Sequence, residues 1–442
     1  MRPFLLFLIG FICPILLKAQ AIFDKDKLDQ YLDTLANNNK FMGSISIFQN
    51  NKNIYQKAVG YSNLTLNEKA TFKTQYNFSH LAQMLTTVLI LKAEEEGKLK
   101  LTDKLNLYLP QLANSEQLNI ADILYHQSGI TNFTKNLSLS QEKSYSKKDI
   151  LKIIKEQKIE RLEVAEYAAE NYILLAFILE KAYGKSYTDL VEKYIIKPLK
   201  LENISLINGE NNLQEALPYY FIGDWMLLVS SDNSIYYHTK SLAANTADMA
   251  KFIDGLFNGL ILKYETLKKY PIKEKYHLLR LEEFKYKETN HLYYMANNID
   301  ETIEFTTQCF YLPKLNASIV IASNGINYYF DKITEDILAA FLNEPYKIPE
   351  FNRPQVYTPQ ELRDFTGFYK HSDYELNFKI IEKDGQLIIQ MEGEPMIDLS
   401  SIAYNTFSND LAELKLVFDL NKDYIILQKG DNKMLFYKYF NF

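Results

Sequence analysis

The stretch FSHLAQMLTTVLILKAEEEGKL, residues 78–99, sets a hydroxyl, Ser79, beside an imidazole, His80. A serine hydroxyl attacks a carbonyl only when a nearby base lowers the cost of removing its proton, and on a helix a partner one turn away shares its face. One turn beyond His80 stands Gln83, whose amide cannot act as a base at any physiological pH. Ser79 has two readings. It pairs locally with His80 as a displaced nucleophile and base, or it caps a helix beginning at His80, a position serine favours. Two Ser-x-x-Lys matches, Ser140 with Lys143 and Ser144 with Lys147, fall in the polar run SLSQEKSYSKKD. A pattern with two fixed positions is weak in a Lys-rich chain, and the run reads as a solvated loop. The remaining histidines, His126, His238, His277, His291 and His371, show no metal-ligand spacing, and no cysteine pair accompanies them. The sequence therefore implies no metal site and no cofactor.

Such groups have to be held by a large folded body. The 442 residues are 47% hydrophobic and 24% charged, with few Gly and Pro, so they bury a large core and hold more than one folding unit. The net charge of -6, with Lys scattered among Glu and Asp, leaves no basic stripe and argues against nucleic acid as a partner. The opening MRPFLLFLIGFICPILLKAQ has one basic residue near its start, an apolar run over residues 4–17 and a small-residue site around Ala19. That is the layout of a secretory signal peptide. A retained anchor is the competing reading, but at ~1.5 Å per residue the run is short for ~30 Å of hydrocarbon, and Pro14 interrupts it. The expectation is an exported protein, periplasmic or extracellular, with no stable membrane span after cleavage. Beyond Cys13 in that run only Cys309 remains, in QCFYL, and it reads as a small buried hydrophobe.

Period-two alternation in GSISIFQNNKNIYQKAVGYSN, broken at Asn50-Asn51, predicts a β-hairpin at a sheet edge. A helix is expected from about His80 to Gly97, with Leu81, Leu85, Val88 and Leu89 on its apolar positions. The segments IADILYHQSGI, SKKDILKIIKEQ, NYILLAFILEKAYGKSYTDLVEKYIIKPL and NTADMAKFIDGLFNG are helical in period. Strands return in TIEFTTQCFYLPKLNASIVIASN, followed by the amphipathic FDKITEDILAAFLNE. The run EPYKIPEFNRPQVYTPQEL concentrates proline as a linker does, and residues 365–442 alternate with turns at Asp384-Gly385 and Gly430-Asp431, as in a small antiparallel barrel or sandwich. The expected division is a signal peptide at 1–20, a main domain at 21–345, a linker at 346–360 and a small β domain at 361–442.

The segments GSISIFQNNKNIYQKAVGYSN, TTVLILKAEEEGKLKLTDKLNLYLPQL, IADILYHQSGI, NYILLAFILEKAYGKSYTDLVEKYIIKPLKLENISL, NTADMAKFIDGL and LPKLNASIVIASN occur in an order that covers nearly all of the chain beyond the leader. In that order the chain resembles the serine β-lactamase and penicillin-binding-protein-like family, in the branch related to class C β-lactamases, D-alanyl-D-alanine peptidases and esterases. The resemblance implies an α+β fold of the β-lactamase/transpeptidase type: an antiparallel sheet flanked by helices, a helical subdomain and an appended small all-β, barrel-like domain.

It also implies where the chemistry would sit. Registered on TTVLILKAEEEGKL, His80 stands where the family has its nucleophilic serine and Gln83 where it has the lysine. The family's Tyr with an Asn two residues on corresponds to AEYAAENY, which keeps Tyr167 and has Ala169 in place of the Asn. The third motif, a Lys or His, a small polar residue and Gly on an inner strand, corresponds to residues 293–305, YYMANNIDETIEF, which contain none of Lys, His or Gly. Asn298 takes the matching position, with Asn297 and Asp300 beside it. His126, in YHQSGI, falls where the family shapes the turn after a helix.

All three catalytic positions depart together, and losing one member of such a unit usually removes most of the rate. Three expectations follow. The first is an exported pseudoenzyme whose cleft binds a peptide, a glycan fragment or a cell-envelope partner. The second is a working hydrolase with a displaced Ser79/His80 pair supported by Tyr167. The third is a structural module whose cleft is filled by its own side chains, Tyr294 and Met295 among them.

Overall fold

The hairpin forms as foreseen: Phe41–Gln49 and Lys52–Val59 pair antiparallel, joined by Asn50 and Asn51 at φ 52° and 61°, the left-handed geometry of a tight two-residue turn. This computed structural model describes residues 23–78, 81–130, 146–156, 160–206, 215–222, 224–228, 242–270, 279, 281–287, 291–299, 304–351, 355–371, 374, 376–391, 393–420, 422–430 and 432–439. The leader at 1–20 lies outside them. Phe41–Gln49 pairs on its other side with Ala317–Ile326, so the hairpin ends a sheet. The sheet runs Glu282–Lys285, Leu292–Ile299, Thr306–Leu312, Ala317–Ile326, Phe41–Gln49, Lys52–Val59, antiparallel throughout. A second hairpin, Tyr219–Ile222 with Asp224–Leu227, joins it through Gly325 opposite Tyr219.

Alternation along Phe41–Gln49 marks two buried faces rather than one. Every residue but Gln49 is buried, because the helices Lys25–Asn37 and Phe330–Leu342 cover one face of the sheet and Thr246–Phe257 covers the other. The apolar set, with Ile45, Ile47 and Ile321, packs under the first pair. The small polar set faces the second and is bonded there. Ser46 Oγ meets Thr246 Oγ1 at 2.7 Å and Ser318 Oγ donates to Ala250 O at 2.8 Å, as buried hydroxyls require. At the bulge between Met42 and Gly43, a Cβ on Gly43 would lie 2.2 Å from Ala322 O, so only glycine fits.

The helical subdomain is built around Ala82–Glu95, which packs on Glu170–Tyr183. Residues Ala82 to Leu91 and Ala93 are all buried, the mark of a helix enclosed on every side. Gly97 follows its end at φ 67°, as foreseen. The α-helix runs from Ala82, with Leu81 in the cap position and no side-chain cap bond; Ser79 and His80, where its start was expected, lie outside the described residues. Lys147–Lys155 is the conventional case, with Ser146 and Asp149 closing a capping box.

The C-terminal strands close an eight-stranded antiparallel barrel from Gly367–His371 round to Asn432–Tyr439, so it is a barrel rather than a sandwich. A short helix, Pro359–Leu362, and the turn after it plug one end. Phe365 packs edge-on against Phe407 and Phe418, each with ring centroids 4.9 Å away. The proline-rich run thus carries structure at its end. Lys40 reaches across from the main body to Asp410 at 2.7 Å.

Asp254, on Thr246–Phe257, is 1% exposed, and burial pushes its carboxyl up to about 6 despite hydrogen bonds from Asn258 and the Asn51 N–H. The unfolded chain releases this proton near pH ~3.9. Between the two values the folded state holds a proton that the unfolded state has lost, so the contribution of Asp254 to stability falls as pH rises through that window. Asp254→Asn is expected to resist urea better than the parent at pH 7.5 by about 1–2 kcal/mol and to lose that advantage by pH 4. A variant weaker than the parent at pH 7.5 would refute this account.

Candidate functional site

A helix enclosed on all sides has to satisfy any polar side chain it carries from within the core. Ala82–Glu95 carries Gln83, Thr86 and Thr87, all 0% exposed. Tyrosines from the neighbouring chain meet them. Gln83 Nε2 donates to Tyr167 OH at 3.0 Å, Thr86 Oγ1 and Tyr187 OH lie 2.7 Å apart, and Thr87 Oγ1 reaches Tyr172 OH at 3.5 Å. Gln83 Oε1 is buried and accepts no hydrogen bond.

Tyr167 is delivered by the turn after Ile120–Leu124. His126 there has φ 59° and is 2% exposed. Residues 160–166 are laid along the turn by three backbone bonds: Glu160 N–H to Ser128 O at 3.2 Å, Leu162 N–H to Gln127 O at 2.9 Å and Glu166 N–H to His126 O at 2.9 Å. Gly129, φ 66°, admits this approach, since a Cβ there would stand 2.4 Å from Glu160 O. The imidazole of His126 packs against Tyr167 at 4.9 Å and Tyr172 at 5.5 Å between ring centroids. Its Nδ1 accepts from Asn171 Nδ2 at 3.0 Å and from the Ala168 N–H at 3.3 Å, which assigns the ring proton to Nε2. Asn171, fully buried, accepts from Ser128 Oγ at 2.7 Å. His126 is thus a brace behind Tyr167.

The structure brings Gln83 and Tyr167 together and puts Ala169, 1% exposed, in the cap position of Glu170–Tyr183, where it offers no side-chain bond. Two residues further on, Asn171 supplies an amide, but to His126 and Ser128. Asn298 lies on Leu292–Ile299 opposite Thr307 of Thr306–Leu312; Asn297 is opposite Gln308. Ser79, His80, Asp300, Ser140, Lys143, Ser144, His238 and His277 lie outside the described residues. Lys147, half of the second Ser-x-x-Lys match, pairs with Glu180 and lies 4.4 Å over the Phe177 ring. The expectation that Tyr294 and Met295 fill the cleft together does not hold. Adjacent strand residues point to opposite faces: Met295 packs with the core under Lys25–Asn37 and Phe330–Leu342, while Tyr294 stacks on Phe257 at 5.7 Å.

One pair was not foreseen. Glu215 bridges to Gln75, just upstream of Ser79, and Glu304 precedes Phe305 at the end of the third-motif stretch. Burial, and then the charge of Glu304, push the Glu215 carboxyl up to about 7. A carboxyl near neutrality can hold or release a proton at physiological pH. Nothing in spacing joins two glutamates so far apart in the chain; the run of chain at Gln75 alone brings Glu215 to this side. Among the described residues no group of three or more His, Cys, Asp or Glu is placed to hold a metal ion, and no helix is long and apolar enough to cross a membrane.

Comparison with known proteins bears on the fold. A family model described as Beta-lactamase matches residues 28–342. Teichoic acid D-alanine hydrolase of Staphylococcus aureus (strain NCTC 8325 / PS 47) is 27% identical over 265 residues, 57% of this chain and 64% of the relative. The chain thus spans just under two thirds of that relative. Among solved structures, FmtA from Staphylococcus aureus superposes with a TM-score of 0.60 at 21% identity, over 74% of this chain and 93% of that one. The octameric penicillin-binding protein homologue from Pyrococcus abyssi gives 0.62 at 18%, over 93% of this chain and 100% of that one. D-amino acid amidase from Ochrobactrum anthropi SV3 gives 0.63 at 16%, over 72% and 99%. The fold is of the β-lactamase/transpeptidase type, with the closed barrel at its C-terminal end.

The Gln83–Tyr167 bond makes a stability prediction. Removing only the acceptor strands a buried amide, whereas replacing the amide by an apolar side chain of similar size removes the need for a partner. Tyr167→Phe is expected to lower unfolding free energy by about 1–2 kcal/mol, and Gln83→Met by less than Tyr167→Phe. Urea denaturation of the two variants measures the order, and the reverse order would show that the bond does not hold this contact.

Proposed function

This chain belongs to the Beta-lactamase family, and from that premise we propose that it is an exported, catalytically silent member that acts by binding. One observation carries the reading. At the position that corresponds to the family's lysine, Gln83 is sealed in the core and its amide nitrogen is committed to Tyr167. A lysine amine there could take the nucleophile's proton and set a positive charge beside the phenol. The amide does neither. His80 at the nucleophile position carries no hydroxyl, so the serine and its base are both replaced.

The names of the relatives support a ligand class. Teichoic acid D-alanine hydrolase and D-amino acid amidase share a D-aminoacyl group in their names. We assign this chain a ligand of that kind, a D-aminoacylated peptide, glycan or polymer of the cell envelope, held beside Tyr167 without turnover. Residues 1–20 then serve as the export signal, residues 21–345 hold the site, 346–360 link, and the barrel at 361–442 forms a second unit. Gln83 Oε1, buried with no hydrogen bond, marks where a single donor could be accommodated.

A second reading, an esterase, peptidase or β-lactamase-type hydrolase using Ser79 and His80, draws on the hydrolytic names of the same relatives. A single experiment separates the two. Folded mature protein is treated with a fluorescent fluorophosphonate and a labelled penicillin and read by intact mass, beside Ser79→Ala, His80→Ala and the double variant His80→Ser with Gln83→Lys. The expected result is no adduct on the parent, and an adduct on the double variant, where the serine and lysine are rebuilt one turn apart. A stoichiometric parent adduct that disappears in Ser79→Ala would overturn the silent reading and establish the displaced nucleophile.

A further inference from the structure

A cleft of about 820 Å³ separates the barrel from the main body, on residues that belong to none of the three family motifs. Its volume is that of a small-molecule site, which ranges over ~300–1,000 Å³. Its chemistry is specific. One wall is amide: Asn39 and Asn327 from the main body, with Gln386 facing them from the barrel. That wall is fixed, because Asn327 Nδ2 donates to Asn39 O at 3.2 Å and the Asn327 N–H to Lys40 O at 2.9 Å. Aromatic rings, Phe221 and Tyr328, supply flat apolar faces. On the barrel side Ser401 Oγ is buried and has no hydrogen-bond partner, a state that costs free energy unless a ligand or water completes it.

Charge narrows the ligand further. Lys40 and Asp410 neutralise one another at 2.7 Å, and Lys415 is offset by Glu350 among the described lining residues. Among the described lining residues the charges balance, so these side chains favour neither an anion nor a cation. Planar amides that both donate and accept, ring faces for C–H surfaces and an unsatisfied hydroxyl are together complementary to a neutral, polyhydroxylated chain. We propose that this cleft is a binding site for a neutral oligosaccharide of a few sugar units, held between the main body and the barrel. The proposal does not rest on the reading of the Gln83 site.

The protein carries its own reporter. Trp225 is the single tryptophan, and its ring packs edge-on against Phe221, 5.2 Å between centroids. Chitotetraose and maltotetraose are titrated into the full mature chain by calorimetry and by tryptophan fluorescence, with tetragalacturonate as the charged comparator. The expected result is saturable binding of at least one neutral tetrasaccharide, accompanied by a change in Trp225 emission, and at least five-fold weaker binding by Tyr328→Ala. Gln386→Ala, a half-buried barrel residue, is expected to weaken binding similarly and serves where Tyr328→Ala does not fold. No binding of either neutral probe at millimolar concentration overturns the proposal. So does binding unchanged in a folded variant, or tighter binding of the charged comparator. Because Gln83 and Tyr167 are untouched by these variants, failure here leaves the reading of the family site standing.

Discussion

The hydrogen bonds that tyrosines make to the polar side chains of Ala82–Glu95 are the constraint from which the rest of the site follows. That helix is enclosed, and a buried amide or hydroxyl without a partner would each cost about 1–3 kcal/mol. Tyr167, Tyr187 and Tyr172 meet Gln83, Thr86 and Thr87 in turn. Their placement fixes how Glu170–Tyr183 lies on the central helix. It also fixes the turn at His126, which has to bring Tyr167 to the amide. His126 takes a left-handed backbone, Gly129 gives the next strand of chain room, and Asn171 and Ser128 lock the imidazole from behind. A polar requirement on one helix is passed in this way through a turn and a second helix to a phenol at the site.

The same constraint bears on what a glutamine does where the family has a lysine. A lysine in a sealed position is held by partners that stabilise its charge, since an uncompensated ammonium in the core is expensive. A glutamine in that position makes no such demand. Its amide nitrogen still donates to the phenol, and the packing around it does not depend on ionisation. What changes is the side chain's own reactivity: the Gln83 amide cannot accept a proton from a hydroxyl. Glu215, whose carboxyl burial and then Glu304 push up to about 7, is a group that can hold or release a proton near neutral pH.

Much of the fold was legible because its signals are local. The Asn50-Asn51 hairpin, the helices after Ser146 and Asn245 and the paired strands Thr306–Leu312 and Ala317–Ile326 each declare themselves by period, cap or turn. So was the Gln83–Tyr167 meeting, through resemblance, since both stand in recognisable motifs. What could not be read depends on distance in the chain. The helix Lys25–Asn37 gains its meaning from the sheet face it covers. Met295 was expected at the site, and the face it takes is set by register against Phe310, not by its own sequence neighbourhood. The Glu215–Glu304 pair has no periodic trace at all.

The barrel poses the last physical question: why its junction with the main body should be open. Its interior does not need the neighbour, because Phe365 and Leu362 plug it and Phe407, Phe418 and Tyr369 fill it. A unit with its own core meets a partner through surface groups, and surface groups here are amides, hydroxyls and a few charges. Lys40 to Asp410 at 2.7 Å is one such contact, a point rather than a sheet of packing. A cleft is the natural outcome when two self-sufficient bodies are pinned at such points. Its walls are mixed, amides and a hydroxyl beside aromatic rings such as Phe221 and Tyr328, and a half-enclosed space of that kind is suited to a ligand that presents both polar groups and C–H faces.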